Sequence, residues 1–183
     1  MKPLFRSAAP SIADMIRADH ARVMFAFHRY SVHARPGVRR ALAATICRLL
    51  EVHAQAEEEV FYAELRKAGS AVERDLGTEH EEMRRLITAL RATPADDPSF
   101  DAVFMELMRT VIHHVADEET TVLPYAETHL AERLAPMGVR FMSRRAQLMA
   151  SQLPAKKSLV MGAGALIAGV FVLRRLFRPA HRA

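Results

Sequence analysis

Apolar residues recur every three or four positions in four long segments of this chain, which is the spacing of one face of an α-helix. The four segments predict helices over residues 12–32, 37–68, 71–92 and 98–132. Ser11 is a suitable N-cap for the first helix, and Pro98 can begin the fourth. Period-two alternation is absent, so we predict no strands. The short connections favour an all-α, up-down-up-down four-helix bundle, followed by a C-terminal apolar helix.

Each apolar stripe carries one histidine near its middle, and two stripes add a glutamate four residues after the histidine. Residues four apart on a helix lie one turn apart on the same face, so both side chains of each pair point into the core. The pattern occurs twice, and the second histidine follows the first by 33 positions in one copy and by 34 in the other. The six residues are His20, His53, Glu57, His80, His114 and Glu118.

These six residues are predicted to bind metal. A buried, ionised carboxylate without a partner is costly, and no Lys or Arg occupies the stripes. Metal ions would satisfy the carboxylates and the imidazoles together, and helical bundles hold such sites between facing helices. Six nitrogen and oxygen ligands are too many for one tetrahedral zinc ion. They favour two iron ions bridged by the carboxylates, with manganese or zinc as alternatives.

Other polar and aromatic residues near the stripes are given lesser roles. Tyr62 and Tyr125 are predicted to be core aromatics, with a redox relay as the alternative. No catalytic residue is assigned. The residues expected to support the ligands from outside, or to face solvent, are Glu58, Glu59, His113, Asp117 and Glu119. The histidines expected to lie away from the site are His28, His33, His129 and His181.

Four motifs resemble the hemerythrin-like, or HHE cation-binding, domain family over residues 8–133. They are Asp19-His20, His53-Ala-Gln-Ala-Glu57-Glu58-Glu59-Val-Phe-Tyr62, Glu79-His80 and His114-Val-Ala-Asp-Glu118-Glu119-Thr-Thr-Val-Leu-Pro124. The resemblance implies a four-helix bundle with a non-haem di-iron centre that binds oxygen or a related small ligand, such as nitric oxide or peroxide. The matching positions are the same six residues.

One departure from the family pattern changes the expected function. Oxygen-carrying hemerythrins have a further histidine one turn before the helix-three ligand, where this chain has Leu76. The missing imidazole leaves one iron more open and argues against reversible oxygen transport. Family members with reduced ligand sets suggest sensing, iron handling or a response to oxidative or nitrosative stress. The alternatives are a di-iron oxidase, ferroxidase or peroxidase, and a zinc-stabilised helical adaptor at the membrane.

The charge of the chain differs sharply between its body and its tail. Residues 1–135 contain 17 Lys and Arg against 21 Asp and Glu, whereas residues 136–183 contain 9 Lys and Arg and no acid. Residues 136–153 are predicted to form a basic amphipathic linker helix. Residues 158–173 carry no charge and would span roughly 24 Å as a helix, against ~30 Å for a bilayer core. We predict a membrane anchor over residues 156–177, with docking on the bundle as the alternative.

The anchor sets the expected location and partners. The bundle is expected at the membrane on the cytoplasmic side, because the first 20 residues lack an apolar run of signal-peptide length. Lipid is the expected partner of the tail, a homodimer through the tail helix is possible, and nucleic acid is not expected. Cys47 is the single cysteine, which excludes an internal disulfide and fits a reducing compartment.

Overall fold

The first helix begins where a Ser-x-x-Asp sequence caps it, as predicted from Ser11. In the computed structural model, which describes residues 10–72 and 74–152, the Ser11 hydroxyl accepts a hydrogen bond from the Asp14 backbone at 3.2 Å. The Asp14 carboxylate accepts one from the Ser11 backbone, also at 3.2 Å. Helix α1 spans Ile12–His28. It ends before the predicted residue 32 because a turn follows, in which the Tyr30 N–H bonds to the Phe27 carbonyl at 2.9 Å.

The second helical rod is interrupted by a wide turn at the first candidate glutamate. It consists of α2 (Pro36–Ala56), a π-helical segment π1 (Glu57–Phe61) and α3 (Tyr62–Lys67). Gly69 has φ 75° and ends the rod, and the Ser70 N–H reaches back to the Leu65 carbonyl at 3.0 Å. Only glycine adopts this left-handed conformation without strain. The predicted end at Gly69-Ser70 is therefore correct.

The third rod is a single helix, like the first, and the fourth has three parts, like the second. The third is α4 (Arg74–Ala92). The fourth consists of α5 (Ser99–Asp117), a second π-helical segment π2 (Glu118–Val122) and α6 (Leu123–His129). Pro98 directly precedes α5, as predicted. Pro124 lies in the first turn of α6, and the change of helical pitch comes just before it, in π2.

Consecutive rods run in opposite directions and form the predicted up-down-up-down four-helix bundle. α1 packs on α2 and α5, and α4 packs on α2 and α5, so the four rods close a square. Apolar side chains fill the end of the bundle near the α1–α2 turn. There the Phe104 ring packs edge-on against Phe27 and stacks on Tyr30 at 3.7 Å between ring centroids. The polar cluster described below occupies the next layer of the core.

A further helix follows a 3₁₀ turn at Ala131–Arg133. It is α7 (Leu134–Ser151), in the region predicted to be a basic amphipathic linker helix. Met137 and Phe141 are buried. A Cβ on Gly138 would lie 2.5 Å from the Pro10 carbonyl oxygen, so only glycine permits this close approach. Arg140 pairs with Glu64 at 3.2 Å, and Arg144 donates to Glu59 at 3.0 Å.

The membrane predictions are contradicted. Among residues 10–72 and 74–152, no helix combines the length and the apolar character needed to cross a lipid bilayer. The predicted membrane association and the transmembrane helix are therefore wrong by this finding. The apolar run 158–173, on which the anchor over 156–177 was based, lies outside the described residues. The chain divides into two compact units, residues 1–145 and 146–183, and the bundle belongs to the first.

Candidate metal centre

The structure brings all six predicted residues together in the core of the bundle. All six residues are buried, with at most 3% of the surface of each exposed. His20 comes from α1, His53 from α2, His80 from α4 and His114 from α5, so every rod supplies one imidazole. Glu57 and Glu118 are the first residues of π1 and π2. The site therefore lies where the two glutamate-bearing rods change pitch, and π-helical turns are frequently found at functional sites.

Each glutamate links two histidines. Its own helix supplies one of them, four residues earlier: Glu57 Oε2 lies 3.3 Å from His53 Nε2, and Glu118 Oε2 lies 4.0 Å from His114 Nε2. The other histidine comes from the opposite half of the bundle. Glu57 Oε2 lies 3.5 Å from His80 Nε2, and Glu118 Oε2 lies 3.2 Å from His20 Nε2. The two carboxylates therefore connect the two halves, as bridging ligands would.

An acidic residue stands behind each histidine, on the Nδ1 side of its ring. Three of these contacts are hydrogen bonds: His20 to Glu119 at 2.8 Å, His80 to Glu58 at 2.9 Å and His114 to Glu79 at 3.0 Å. The fourth is longer, since His53 Nδ1 lies 3.9 Å from Asp19 Oδ2. Histidines that bind metals through one nitrogen commonly donate from the other to a carboxylate or a carbonyl, which fixes the ring orientation.

These contacts determine which ring nitrogen is free to bind. Because Nδ1 of His80 and of His114 faces a carboxylate, we assign the proton to Nδ1, which leaves a lone pair on Nε2. The two Nε2 atoms nevertheless lie only 3.2 Å apart. Burial lowers the pKa of His80, which disfavours a second proton between them. Two lone pairs that face each other at this distance are stabilised by a cation between them.

The buried polar atoms that lack a hydrogen-bond partner also indicate a cation at this position. In the described part of the chain, no hydrogen bond reaches Nε2 of His20, either nitrogen of His53, either carboxylate oxygen of Glu57, or Oε2 of Glu118. Buried polar atoms are normally hydrogen-bonded, so a group of orphaned donor atoms calls for another partner. Nitrogen and carboxylate oxygen donors suit a transition-metal ion. The residues present therefore fit the metal that the pattern predicts.

The donor atoms form two overlapping groups, each with ligand atoms within 4.8 Å of one another. One group contains His20, His53, His114 and Glu118; the other contains Glu57, His80 and His114. Together they contain all six predicted residues, and His114 is common to both. A third group, Glu79, His113 and Asp117, lies nearer the surface. Its imidazole is 72% exposed, in keeping with the prediction that His113 is solvated.

The two glutamates differ in charge state despite their equivalent positions. Burial and the neighbouring Glu118 raise the pKa of Glu57 well above its ordinary value, which favours the protonated form of Glu57 in the metal-free protein. Burial works against ionisation of Glu118 as well, but the close approach of His20 Nε2, at 3.2 Å, and the charges of the nearby histidines lower its pKa. The Tyr62 hydroxyl also donates to Glu118 Oε1 at 3.0 Å. Tyr62 is thus both a buried core aromatic, as predicted, and a direct contact of the site.

Sequence reasoning missed some of the supporting residues and gave one residue the wrong face. Asp19 and Glu79 were noted only as parts of motifs, although each directly precedes a site histidine and faces the histidine of another helix. That adjacency was the available signal. Glu64 lies seven residues after Glu57, a spacing that predicts the same stripe in a regular α-helix, but π1 turns the helix and Glu64 pairs with Arg140 instead. Leu76 is buried one turn before His80.

Comparison with known proteins gives the family. Residues 11–126, more than half of the chain, match the Hemerythrin HHE cation binding domain, and the chain belongs to this family. The fold likeness agrees with the match. A crystal structure of a hemerythrin HHE cation binding domain-containing protein from Mycobacterium kansasii superposes with a TM-score of 0.68. It covers 78% of this chain and 89% of that one at 18% identity, which shows the fold alone.

A relative identified by sequence carries a different description. The chain is 31% identical over 122 residues to a protein named DNA nickase from Nostoc sp. (strain PCC 7120). The alignment covers 66% of this chain but only 35% of the Nostoc protein. The shared part therefore corresponds to about a third of that protein. The chain is a hemerythrin-like cation-binding domain with a His/Glu cluster that could bind metal.

Proposed function

We propose that this protein holds a non-haem di-iron centre and binds oxygen or a related small ligand, such as nitric oxide or peroxide. Sensing, iron handling and the response to oxidative or nitrosative stress are the roles that this chemistry fits. The metal-binding residues are His20, His53, His80 and His114, together with Glu57 and Glu118. When bound, the iron pair would supply redox-active positions that exogenous ligands can occupy.

The observation that carries this proposal is the convergence of unpartnered donors from both halves of the bundle. Four imidazoles and two carboxylates exceed the four ligands of a structural zinc site, so they support two metal ions better than one. Leu76 stands one turn before His80 and offers no donor atom. The half of the site around His80 therefore has fewer protein ligands, which leaves room for a small molecule.

The residues of the chain have definable tasks in this proposal. Glu58, Glu79 and Glu119 hold their histidines with Nε2 turned to the centre. The Tyr62 hydroxyl donates to Glu118 and fixes one carboxylate oxygen in place. Apolar side chains such as Phe104 and Leu107 seal the adjacent core layer against water. The protein thereby supplies orientation and a dry environment for whatever ligand is bound.

Metal analysis with an optical spectrum tests the proposal on the full chain. We expect about two irons per chain in protein purified without oxygen, and a new near-ultraviolet or visible band after addition of oxygen, nitric oxide or azide. Zinc at one ion per chain, with no such band for any ligand, would contradict it. That outcome would favour the zinc-stabilised helical domain instead.

A catalytic role is the second candidate, since a cavity reaches the contacts of the centre at Tyr62. A di-iron oxidase, ferroxidase or peroxidase would consume ferrous iron or peroxide continuously. We would measure steady consumption by the iron-loaded chain against an equal concentration of free iron. Turnover above that control would assign an enzyme, whereas a single stoichiometric binding event would assign a binding protein.

The name of the Nostoc relative also raises DNA as a partner, and the prediction that excluded nucleic acid is left open. Two-metal sites can cleave phosphodiesters. The centre here is formed by residues at most 3% exposed, so a duplex backbone cannot reach it in this conformation. A supercoiled plasmid incubated with the metal-loaded chain provides the test. Conversion to open circles that is lost in His114→Ala would establish nicking at this site.

A further inference from the structure

A cavity of about 720 Å³ opens beside the candidate centre, between the end of α3 and the first turns of α4. Its outer rim carries exposed charged side chains, among them Arg66, Glu81 and Arg84. Its inner wall includes Glu58 and Tyr62. Both inner residues contact the site directly, because Glu58 bonds to His80 and Tyr62 donates to Glu118. The cavity therefore leads from solvent to side chains that touch the candidate metal ligands.

Tyr62 separates this cavity from the centre. It is 1% exposed, its ring lies 5.5 Å from the His80 ring at an angle of 21°, and its hydroxyl reaches Glu118. Glu58 is less free to move, because Arg84 donates to both of its oxygens, at 2.5 and 2.6 Å, while His80 occupies one of them. Tyr62 makes one hydrogen bond, to Glu118, and stacks on His80, so it has fewer polar contacts than Glu58 and is the less tightly bonded part of the wall.

The cavity wall has open space at Gly77. Gly77 lines the cavity in α4, and a Cβ at this position would meet no atom within 4 Å. We propose that this cavity is the entry route for small polar ligands, such as peroxide, azide or nitrite, and that Tyr62 gates it. This rests on the proposed function, since a ligand must have a metal centre to reach. The charged rim favours polar ligands over apolar ones.

A plug in the cavity gives the sharpest test. In the iron-loaded full chain, we would measure the association rate of azide by stopped-flow absorbance. Gly77→Leu places a side chain in the cavity, and we expect association to slow by about tenfold, within the range that association rates vary among mutants. Gly37→Leu is the matched control, because Gly37 is also a helical glycine with no atom within 4 Å of its Cβ position. An unchanged rate in Gly77→Leu would overturn the entry route.

Removal of the gate should have the opposite effect. Tyr62→Ala should raise the azide association rate by about tenfold, and Tyr62→Phe, which keeps the ring but loses the hydroxyl, by less. Tyr125→Phe is the control, since Tyr125 stacks on His129 and is not among the described residues that line the cavity. Equal rates in the wild type and in folded Tyr62→Ala would show that Tyr62 is not a gate. Circular dichroism of each variant checks folding.

A metal-free measurement separates this inference from the proposed function. The chain contains three tyrosines and no tryptophan, so its fluorescence in a Tyr30→Phe, Tyr125→Phe background reports Tyr62 alone. Acrylamide, a small polar quencher, should quench this emission, and Gly77→Leu should reduce the quenching constant where Gly37→Leu does not. If wild-type protein shows no azide band, the proposed function fails, while the quenching still decides whether the cavity leads to Tyr62. Identical quenching in both glycine variants would overturn the route.

Discussion

The two halves of the bundle present the same ligand pattern in different surroundings. The first half, α1, α2 and π1, supplies His20, His53 and Glu57; the second, α4, α5 and π2, supplies the matching set. Five residues after the glutamate, however, the first half has Tyr62 and the second has Leu123. The Tyr62 hydroxyl donates its hydrogen bond to Glu118, which belongs to the other half. One of the two equivalent carboxylates thus accepts a hydroxyl hydrogen bond that the other lacks.

The two glutamates also differ in how readily each would bind a metal ion in the metal-free protein. Glu118 has a lowered pKa and is ionised, ready to bind, whereas the pKa of Glu57 is raised by burial and by Glu118. A metal ion would therefore compete with a proton more strongly at Glu57 than at Glu118. If the site holds two metal ions, as proposed, the two positions are expected to fill with different affinity and pH dependence.

The largest effect is expected at the histidine that both donor groups share. His114→Ala should remove most bound metal, with a loss of affinity beyond the ~10–100-fold that follows loss of a supporting contact. His113→Ala is the matched control, because the neighbouring imidazole is 72% exposed. Metal per chain, measured by inductively coupled plasma mass spectrometry after dialysis, checks this. Equal metal content in both variants would remove His114 from the site.

The two glutamates should respond oppositely to neutralisation in metal-free protein. Because the folded chain holds a proton on Glu57 that the unfolded chain releases above pH 4.5, the free energy of unfolding falls as pH rises past that value. Glu57→Gln should remove this loss and raise the free energy of unfolding by ~1–3 kcal/mol at pH 8. Glu118→Gln should lower it. Urea denaturation in the presence of a chelator measures both.

The supporting carboxylates should also differ between the halves. Glu79 bonds to His114 at 3.0 Å, whereas Asp19 lies 3.9 Å from His53 and is held by Arg145 at 2.8 Å. Glu79→Gln should therefore weaken metal binding by ~10-fold or more, and Asp19→Asn by less. Competition against a chromophoric chelator gives both affinities. A larger loss in Asp19→Asn would mean that Asp19 turns toward His53 when metal binds.

The smallest effect concerns acid stability. Burial disfavours the charge on Glu58, but its bonds to His80 and Arg84 outweigh this and hold its pKa at about 2. Its contribution to stability is therefore complete above the ordinary value of 4.5 and is lost as pH falls through 2. The difference in free energy of unfolding between the wild type and Glu58→Gln should shrink over this window. A constant difference would contradict the assignment.

Much of this arrangement follows from periodicity, and the remainder depends on contacts between helices. The i to i+4 spacing of His53 with Glu57 places both on one face, and the short loops bring four such faces to one level. The π segments were not foreseeable, since a five-residue change of pitch leaves no mark in a 3.6-residue pattern. Partners such as Glu79 with His114 depend on the register of two helices.

The membrane prediction failed for a different reason. It rested on the composition of residues 156–177, which lie outside the repeated helical pattern that predicts the bundle. The basic residues just before them have clearer roles in the structure. Arg140, Arg144 and Arg145 pair with Glu64, Glu59 and Asp19 of the bundle. Their charge, which contributed to the prediction of a basic amphipathic linker helix over residues 136–153, is paired with carboxylates of the bundle.

The acidic contacts behind the histidines have a mechanical consequence. Asp19 of α1 faces the histidine of α2, Glu58 of π1 binds that of α4, Glu79 of α4 binds that of α5, and Glu119 of π2 binds that of α1. Three of these contacts are hydrogen bonds, and the one from Asp19 is longer, at 3.9 Å. Each rod thus contacts two other rods at neighbouring positions, and the four contacts form a closed ring. If one rod moved along its axis by one helical turn, ~5.4 Å, both of its contacts would break at once. The ring of contacts therefore fixes the axial position of every rod relative to its neighbours in the metal-free protein.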